Sequence, residues 1–221
     1  VQAAGEVEVK GWSGDDAWIE QVSNAVAWRP SEWATLKSKP EGPLHPVELC
    51  REVQKLLGDD SILISDGGEF GQWAQACLGA PHRIINGPAG SIGSALPFAA
   101  AAKLARPQST VIALLGDGTL GFHLSEFDTA ARYGLSYMAV VGNDACWNAE
   151  YQIQLRAYGK ERAHGLELLP TRYGAVAAAL GCHGVDVLRP GELAPALGKA
   201  VCSNKPACVN VMIERLAAPR Y

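Results

Sequence analysis

The chain has 221 residues, 48% of them hydrophobic and 19% charged, which supplies a sizeable core and excludes an intrinsically disordered polymer. Lys and Arg number 19 against 23 Asp and Glu, and the net charge of −4 offers no basic field for nucleic acid. No apolar run approaches the ~20 residues that cross a bilayer and no basic start followed by an apolar core marks a secretory signal, so no membrane association and a cytoplasmic location are expected.

Residues 1–42 are polar yet hold Trp12, Trp18, Trp28 and Trp33, four of the six tryptophans, and run into the linker-like cluster 37–43. Such a segment reads as a linker that docks on something. From residue 43 to 221 helical and extended patterns alternate. Helices are expected over 47–57, 71–78, 92–105, 120–134, 173–180 and 192–201. Strands are expected over 62–65, 83–85, 111–115, 137–141, 184–187 and 208–213. This alternation predicts an α/β fold, a doubly wound, mainly parallel sheet with helices on both faces. The charged stretch 145–170 has no sustained period and reads as a lid or a flexible loop.

Two of the strands carry the chemistry. The run 111–115 delivers Gly116-Asp117-Gly118, and the run 137–141 ends, 26 residues beyond Asp117, at Asn143. Parallel strands joined by a crossover place their C-terminal ends on one edge, so Asp117 and Asn143 can converge there as oxygen ligands. Mg2+ takes one or two protein oxygens and completes its octahedron with substrate phosphates and water, so the pair predicts a magnesium and diphosphate site. Gly118 and Thr119 stand where a helix would begin, with backbone N–H groups free for an anion. A strand-ending turn would use the same glycines for steric reasons, and it is the coupling to Asn143 that favours the ligand reading.

The six cysteines show no CxxC pair and no metal-ligand spacing with histidine, so reduced and mostly buried thiols are expected, with Cys146 placed just past the metal loop. His123, one turn beyond Gly118, reads as a hydrogen-bonded structural histidine or a neighbour of the cofactor.

With GDG followed after this interval by Asn, the chain resembles the thiamine diphosphate-dependent enzymes. The resemblance extends to Gly90-Ser91-Ile92-Gly93, similar to the segment that receives the aminopyrimidine, and to Ser65-Asp66-Gly67-Gly68-Glu69-Phe70, similar to the loop beside the diphosphate. It implies thiamine diphosphate and Mg2+ as cofactors. It also implies metal ligands at Asp117, Asn143 and the Ala145 carbonyl, a pyrimidine acceptor at the Gly90 carbonyl, and a bulky side chain, Ile92, that bends the cofactor. Gly68, Glu69, Phe70, Gly118 and Thr119 complete the expected cofactor-binding set. Glu69 departs from the neutral polar residue common at this place in acetolactate synthases, since an acid beside a diphosphate is repulsive.

The flavour is closest to acetolactate synthase-like proteins and 2-hydroxyacyl-CoA lyases, which implies making or breaking a carbon–carbon bond next to a carbonyl. Residues 147–150 and Gln154 are locally similar to sulfoacetaldehyde acetyltransferases; a 2-oxoacid decarboxylase and a non-catalytic partner subunit are further alternatives. The substrate implied is a small acyl or 2-oxoacid compound, or a CoA thioester. Glu150 and Gln154 either face it or are solvated on a helix. In the family a separate pyrimidine-binding domain supplies the glutamate that activates the cofactor. No such domain is found in 1–221, so another chain or a missing portion is the expected partner, in a homo- or hetero-oligomer. With Val1 in place of an initiator methionine, a processed or truncated product or an engineered piece is expected, and by the resemblance 1–42 is similar to the tail of a preceding middle domain. A nicotinamide enzyme is disfavoured, because 87–93 does not form GxGxxG.

Overall fold

The computed structural model describes residues 15–86 and 90–219, and the chain divides into two compact units, 1–34 and 35–221. Trp12 lies outside the described residues. The described part of the first unit is a helix, α1 (Asp16–Ala27), followed by a 3-10 turn (Ser31–Ala34). The carboxylate of Asp15 caps α1 by accepting from the N–H groups of Ala17 and Trp18. Trp18, Ile19, Val22 and Val26 fall at helical spacing along it, a pattern overlooked when 1–42 is read only as polar.

The second unit runs α2 (Pro46–Gln54), β1 (Ile62–Ser65), α3 (Gly68–Cys77), β2 (His82–Ile85), α4 (Ala95–Ala105) and β3 (Val111–Gly116). It continues with α5 (Asp117–Leu120), α6 (Glu126–Tyr133), β4 (Met138–Asn143), α7 (Asn148–Tyr158), α8 (Tyr173–Ala179), β5 (His183–Val187), α9 (Pro190–Cys202) and β6 (Ala207–Met212). It takes in residues 35–42, where the Ser38 N–H donates to Glu48 Oε2 at 2.6 Å and Arg51 donates to the Leu36 carbonyl at 2.7 Å.

All six strands are parallel, in the order β2-β1-β3-β4-β6-β5. Helices cover both faces of such a sheet, which is why β1, β3, β4 and β6 are near-continuous apolar runs. The two faces still alternate. Ile62, Ile64, Ala113, Leu115, Ala139 and Val141 share one core with α4 and α6, while Leu63, Ile112, Leu114 and Val140 are buried on the other face. The chain leaves β1 toward β2 on one side and returns through α4 to β3 on the other. That reversal opens a crevice outside the C-terminal ends of β1 and β3, the place where open α/β sheets bind ligands.

Three local departures from the sequence pattern shape this crevice. Helix α3 begins at Gly68, so Gly68, Glu69 and Phe70 form a first helical turn and not a loop. The expected helix over 120–134 is broken into α5 and α6 by a tight turn at 121–125. The unpatterned stretch after β4 folds as α7, which buries only Asn148 and Gln152 and therefore has no apolar stripe to announce it.

Candidate functional site

Strand β3 ends at Gly116 and hands Asp117 to the first position of α5. The Asp117 carboxyl is buried at 2% exposure, and its Oδ2 has no hydrogen-bond partner. Burial pushes its pKa up to about 6, against the pull of the Gly118 and Cys146 N–H groups and the Arg215 charge. An orphaned carboxylate oxygen aimed into a cleft costs stability unless something binds it.

The neighbouring strand end supplies the second carboxylate. Asn143 is the last residue of β4 and Asp144 the first beyond it, just before the left-handed turn at Ala145, and the two side chains go to different surroundings. Asn143 is fully buried: its Nδ2 donates to the Thr171 carbonyl at 3.0 Å and to Asn210 Oδ1 at 3.2 Å, and its Oδ1 accepts from the Ala145 N–H at 3.1 Å. Asp144 instead lines the cleft with Asp117. Burial, and after it the charge of Asp117, pushes the Asp144 carboxyl up to about 7, while Arg215 and a hydrogen bond to Asn148 oppose the rise. The carboxylate that lines the cleft beside Asp117 is therefore Asp144, one position beyond the expected Asn143, whose amide is engaged in the interior.

Ala145, expected as a third ligand through its carbonyl, is engaged elsewhere. Its left-handed backbone (φ 53°) turns its carbonyl to the Leu168 N–H at 2.8 Å and Arg215 Nη2 at 3.2 Å, and Ala145 does not line the cleft. Cys146 does, with its thiol pushed up to about 11 by burial, so it is no ready nucleophile.

The cleft, about 90 Å3, has its facing wall in Gly68, Glu69, Phe70 and Ile92, with Gly118 and Thr119 at its floor. Asp66 builds this wall. Fully buried at the end of β1, it accepts from the N–H groups of Gly67 (2.7 Å), Gly93 (3.1 Å) and Ala95 (2.7 Å), and so ties the Ile92 loop to the sheet. Phe70 packs on Gly142, where a β-carbon would collide with its ring. Glu69 is turned toward the C-terminal segment, its Oε1 accepting from the Ala218 N–H at 2.6 Å. His123 donates from Nδ1 to the Gly93 carbonyl at 2.7 Å, a structural bond. Glu150 stands at the exposed mouth of the cleft, whereas Gln154 is held by the His164 N–H at 3.2 Å and does not reach it. Gly90 has the left-handed φ of 66° and lies outside the lining.

Sequence reasoning missed Asp66, Asp144 and Arg215. The acid directly after Asn143 at a strand end was a usable signal for Asp144. The backbone acceptors and donors around Asp66 and Arg215 leave no mark in the order of side chains.

The family model described as "Thiamine pyrophosphate enzyme, C-terminal TPP binding domain" matches residues 66–211. The chain is 38% identical over 216 residues to the acetolactate synthase large subunit IlvG of Mycobacterium tuberculosis, a match covering 95% of this chain and 39% of that protein. It is 35% identical over 185 residues to 2-hydroxyacyl-CoA lyase 2 of Homo sapiens, covering 82% of this chain and 29% of that one. Thus it spans less than half the length of these relatives. In fold it is similar to the Rhodococcus jostii RHA1 thiamine diphosphate-dependent 4-hydroxybenzoylformate decarboxylase, with a TM-score of 0.73, 21% identity, and coverage of 81% of this chain and 34% of that structure. With a parallel sheet whose switch-point crevice is floored by Gly116-Asp117-Gly118, and with these matches, the chain belongs to the thiamine pyrophosphate enzymes, as their C-terminal cofactor-binding domain.

Proposed function

We propose that this chain supplies the diphosphate and Mg2+ half of a composite site in an enzyme that cleaves or forms a carbon–carbon bond next to a carbonyl, as a 2-hydroxyacyl-CoA lyase or an acetolactate synthase-like enzyme. The observation that carries the reading is the orphaned, buried Oδ2 of Asp117 in a cleft shared with Asp144. Two desolvated carboxylates side by side disfavour joint ionisation unless a cation lies between them. Among the described residues no three His, Cys, Asp or Glu side chains are grouped to hold a metal by themselves. That suits Mg2+, which takes one or two carboxylates and fills the rest of its octahedron with phosphate and water.

In this reading Asp117 and Asp144 hold the metal. The bare backbone of Gly118 and the Thr119 hydroxyl receive the diphosphate, Gly68 and Phe70 close its far side, and Ile92 shapes the bound cofactor. Asn143 is a buried brace for the loop. Glu150, at the mouth, faces the substrate, an acyl or 2-oxoacid compound or a CoA thioester. Thiamine diphosphate, when bound, supplies the nucleophilic carbon and the electron sink. The protein's part is to bind and orient it and to keep water from the diphosphate. A pyrimidine-binding domain, from a second copy or from the rest of a longer polypeptide, contributes the activating glutamate in a cytoplasmic oligomer.

Titration calorimetry with thiamine diphosphate tests the reading. Binding should require Mg2+ and should vanish in Asp117→Ala. Unchanged binding and unchanged Mg2+ dependence in that variant would overturn it.

A further inference from the structure

Arg215 lies beyond the last strand, outside the stretch 66–211 that matches the family model. Its guanidinium is nonetheless tied to the loop that carries Asp144. Nη2 donates to two successive carbonyls of that loop, Asp144 O at 3.1 Å and Ala145 O at 3.2 Å, and Nε reaches Asp144 O at 3.4 Å. The other side of the fork is held by Glu167, with Nη1 to Oε1 at 2.8 Å and Nη2 to Oε2 at 2.9 Å. The guanidinium carbon stands 5.7 Å from the centre of the Tyr151 ring, the spacing of a cation–π contact.

These bonds converge on a stretch of backbone that needs holding. Ala145 has φ 53°, a conformation that a residue with a β-carbon adopts only at a cost. The same turn sends Asp144 into the cleft and the Ala145 carbonyl out of it. The surrounding frame is backbone: Leu168 N–H to Ala145 O at 2.8 Å and Trp147 N–H to Leu166 O at 2.9 Å. Arg215 joins that frame to the loop from the C-terminal side. Its own segment is anchored across the site, because the Leu216 carbonyl accepts from Asn148 Nδ2 at 3.3 Å and from Trp73 Nε1 at 3.4 Å, and the Ala218 N–H reaches Glu69.

We propose that Arg215 is the positioning residue of this site: by holding the Asp144 and Ala145 carbonyls on the outer side of the loop, it fixes the left-handed turn that points the Asp144 carboxylate at Asp117. The role needs the planar fork as well as the charge. A lysine presents one compact ammonium and cannot span two carbonyls and a carboxylate at once. The inference rests on the proposed function only for its metal arm, and the loop geometry stands without it.

The test uses hydrogen–deuterium exchange on the metal-free protein together with Mg2+ titration in the presence of thiamine diphosphate. In Arg215→Lys and Arg215→Met, exchange of the segments 143–150 and 164–170 should rise about tenfold, while 62–65 and 111–115 keep wild-type protection. The Mg2+ requirement should rise about 10- to 100-fold, the usual effect of losing a group that orients a ligand. Glu167→Gln should shift both readouts in the same direction by less. Wild-type loop protection and an unchanged Mg2+ requirement in Arg215→Lys would overturn the proposal. Loss of protection throughout the sheet in Arg215→Met, with Arg215→Lys behaving as wild type, would likewise make Arg215 a general stability residue and overturn it. If the wild-type protein itself takes up no Mg2+ with thiamine diphosphate, the functional reading fails, and the exchange arm still decides the role of Arg215.

Discussion

The indole of Trp147 lies against Gly118, so close that a β-carbon on Gly118 would stand 2.7 Å from two of its ring carbons. The contact joins the first turn of α5 to the loop after β4. Phe122 meets the same indole edge-on, at 6.1 Å between ring centres. Gly118→Ala should therefore displace Trp147 and lower stability by about 1–3 kcal/mol, the range for overpacking. Thiamine diphosphate affinity should fall with it. Thermal melts of a double-mutant cycle check the cause: in a Trp147→Ala background the alanine at 118 should have little further effect.

Asp117 and Asp144 give the metal-free protein an unusual pH dependence. Both carboxyls titrate higher in the folded chain, at about 6 and about 7, than the 3.8 of an unperturbed aspartate. The folded state thus binds these protons more tightly than the unfolded state, and stability falls as pH rises from about 4 through 6 and on through 7. Asp117→Asn removes its share of that penalty. At pH 8 the variant should be more stable than wild type by up to ~3 kcal/mol, and below pH ~4 the difference should disappear. Melting temperatures of both proteins from pH 4 to 8, measured with a chelator present, test this; an advantage of the variant over wild type that is larger at pH 4 than at pH 8 would contradict it.

The parallel sheet was legible because buried strands in such a sheet are continuous apolar runs, and 62–65, 111–115 and 208–213 could hardly be anything else. Helix α7 was not legible, because Asn148 and Gln152, joined by a 3.0 Å side-chain bond, are what it buries. The site was half legible. Asp117 announces itself between two glycines, yet the side chain that lines the cleft beside it is Asp144, one position past Asn143 and already beyond the strand. Arg215 acts through carbonyls, and the order of side chains holds no trace of which carbonyl a distant guanidinium will find.

That single position separates the effects of two adjacent substitutions. Asn143→Ala takes the acceptor from the Ala145 N–H and the donor from Asn210 Oδ1, while the Thr171 carbonyl keeps the Asn210 amide at 3.3 Å and the Tyr173 N–H at 3.0 Å. A loss of about 1–3 kcal/mol is expected from the groups left unpaired. Asp144→Ala removes a cleft carboxylate and should abolish Mg2+-dependent binding of thiamine diphosphate, with metal-free stability kept or raised at pH 8. Calorimetry and melts on both variants decide the matter. Retained Mg2+ dependence in Asp144→Ala, with its loss in a well-folded Asn143→Ala, would return the ligand role to Asn143.

Asp66, fully buried behind the cleft wall, behaves differently, because three N–H groups of the chain already hold it. Asp66→Asn is nearly isosteric but exchanges one acceptor oxygen for a donor, which then faces the N–H of Gly93 or Ala95 in the interior. The expected loss is about 2–3 kcal/mol, at the upper end for a buried group left without its partner. Since Ile92 rides on the loop that Asp66 anchors, thiamine diphosphate binding should weaken even at temperatures where the variant is folded, with the Mg2+ requirement little changed. Parallel melts and calorimetric titrations check this. A stable variant with wild-type affinity would mean that the loop is held in place by other contacts, such as the bond from His123 to the Gly93 carbonyl.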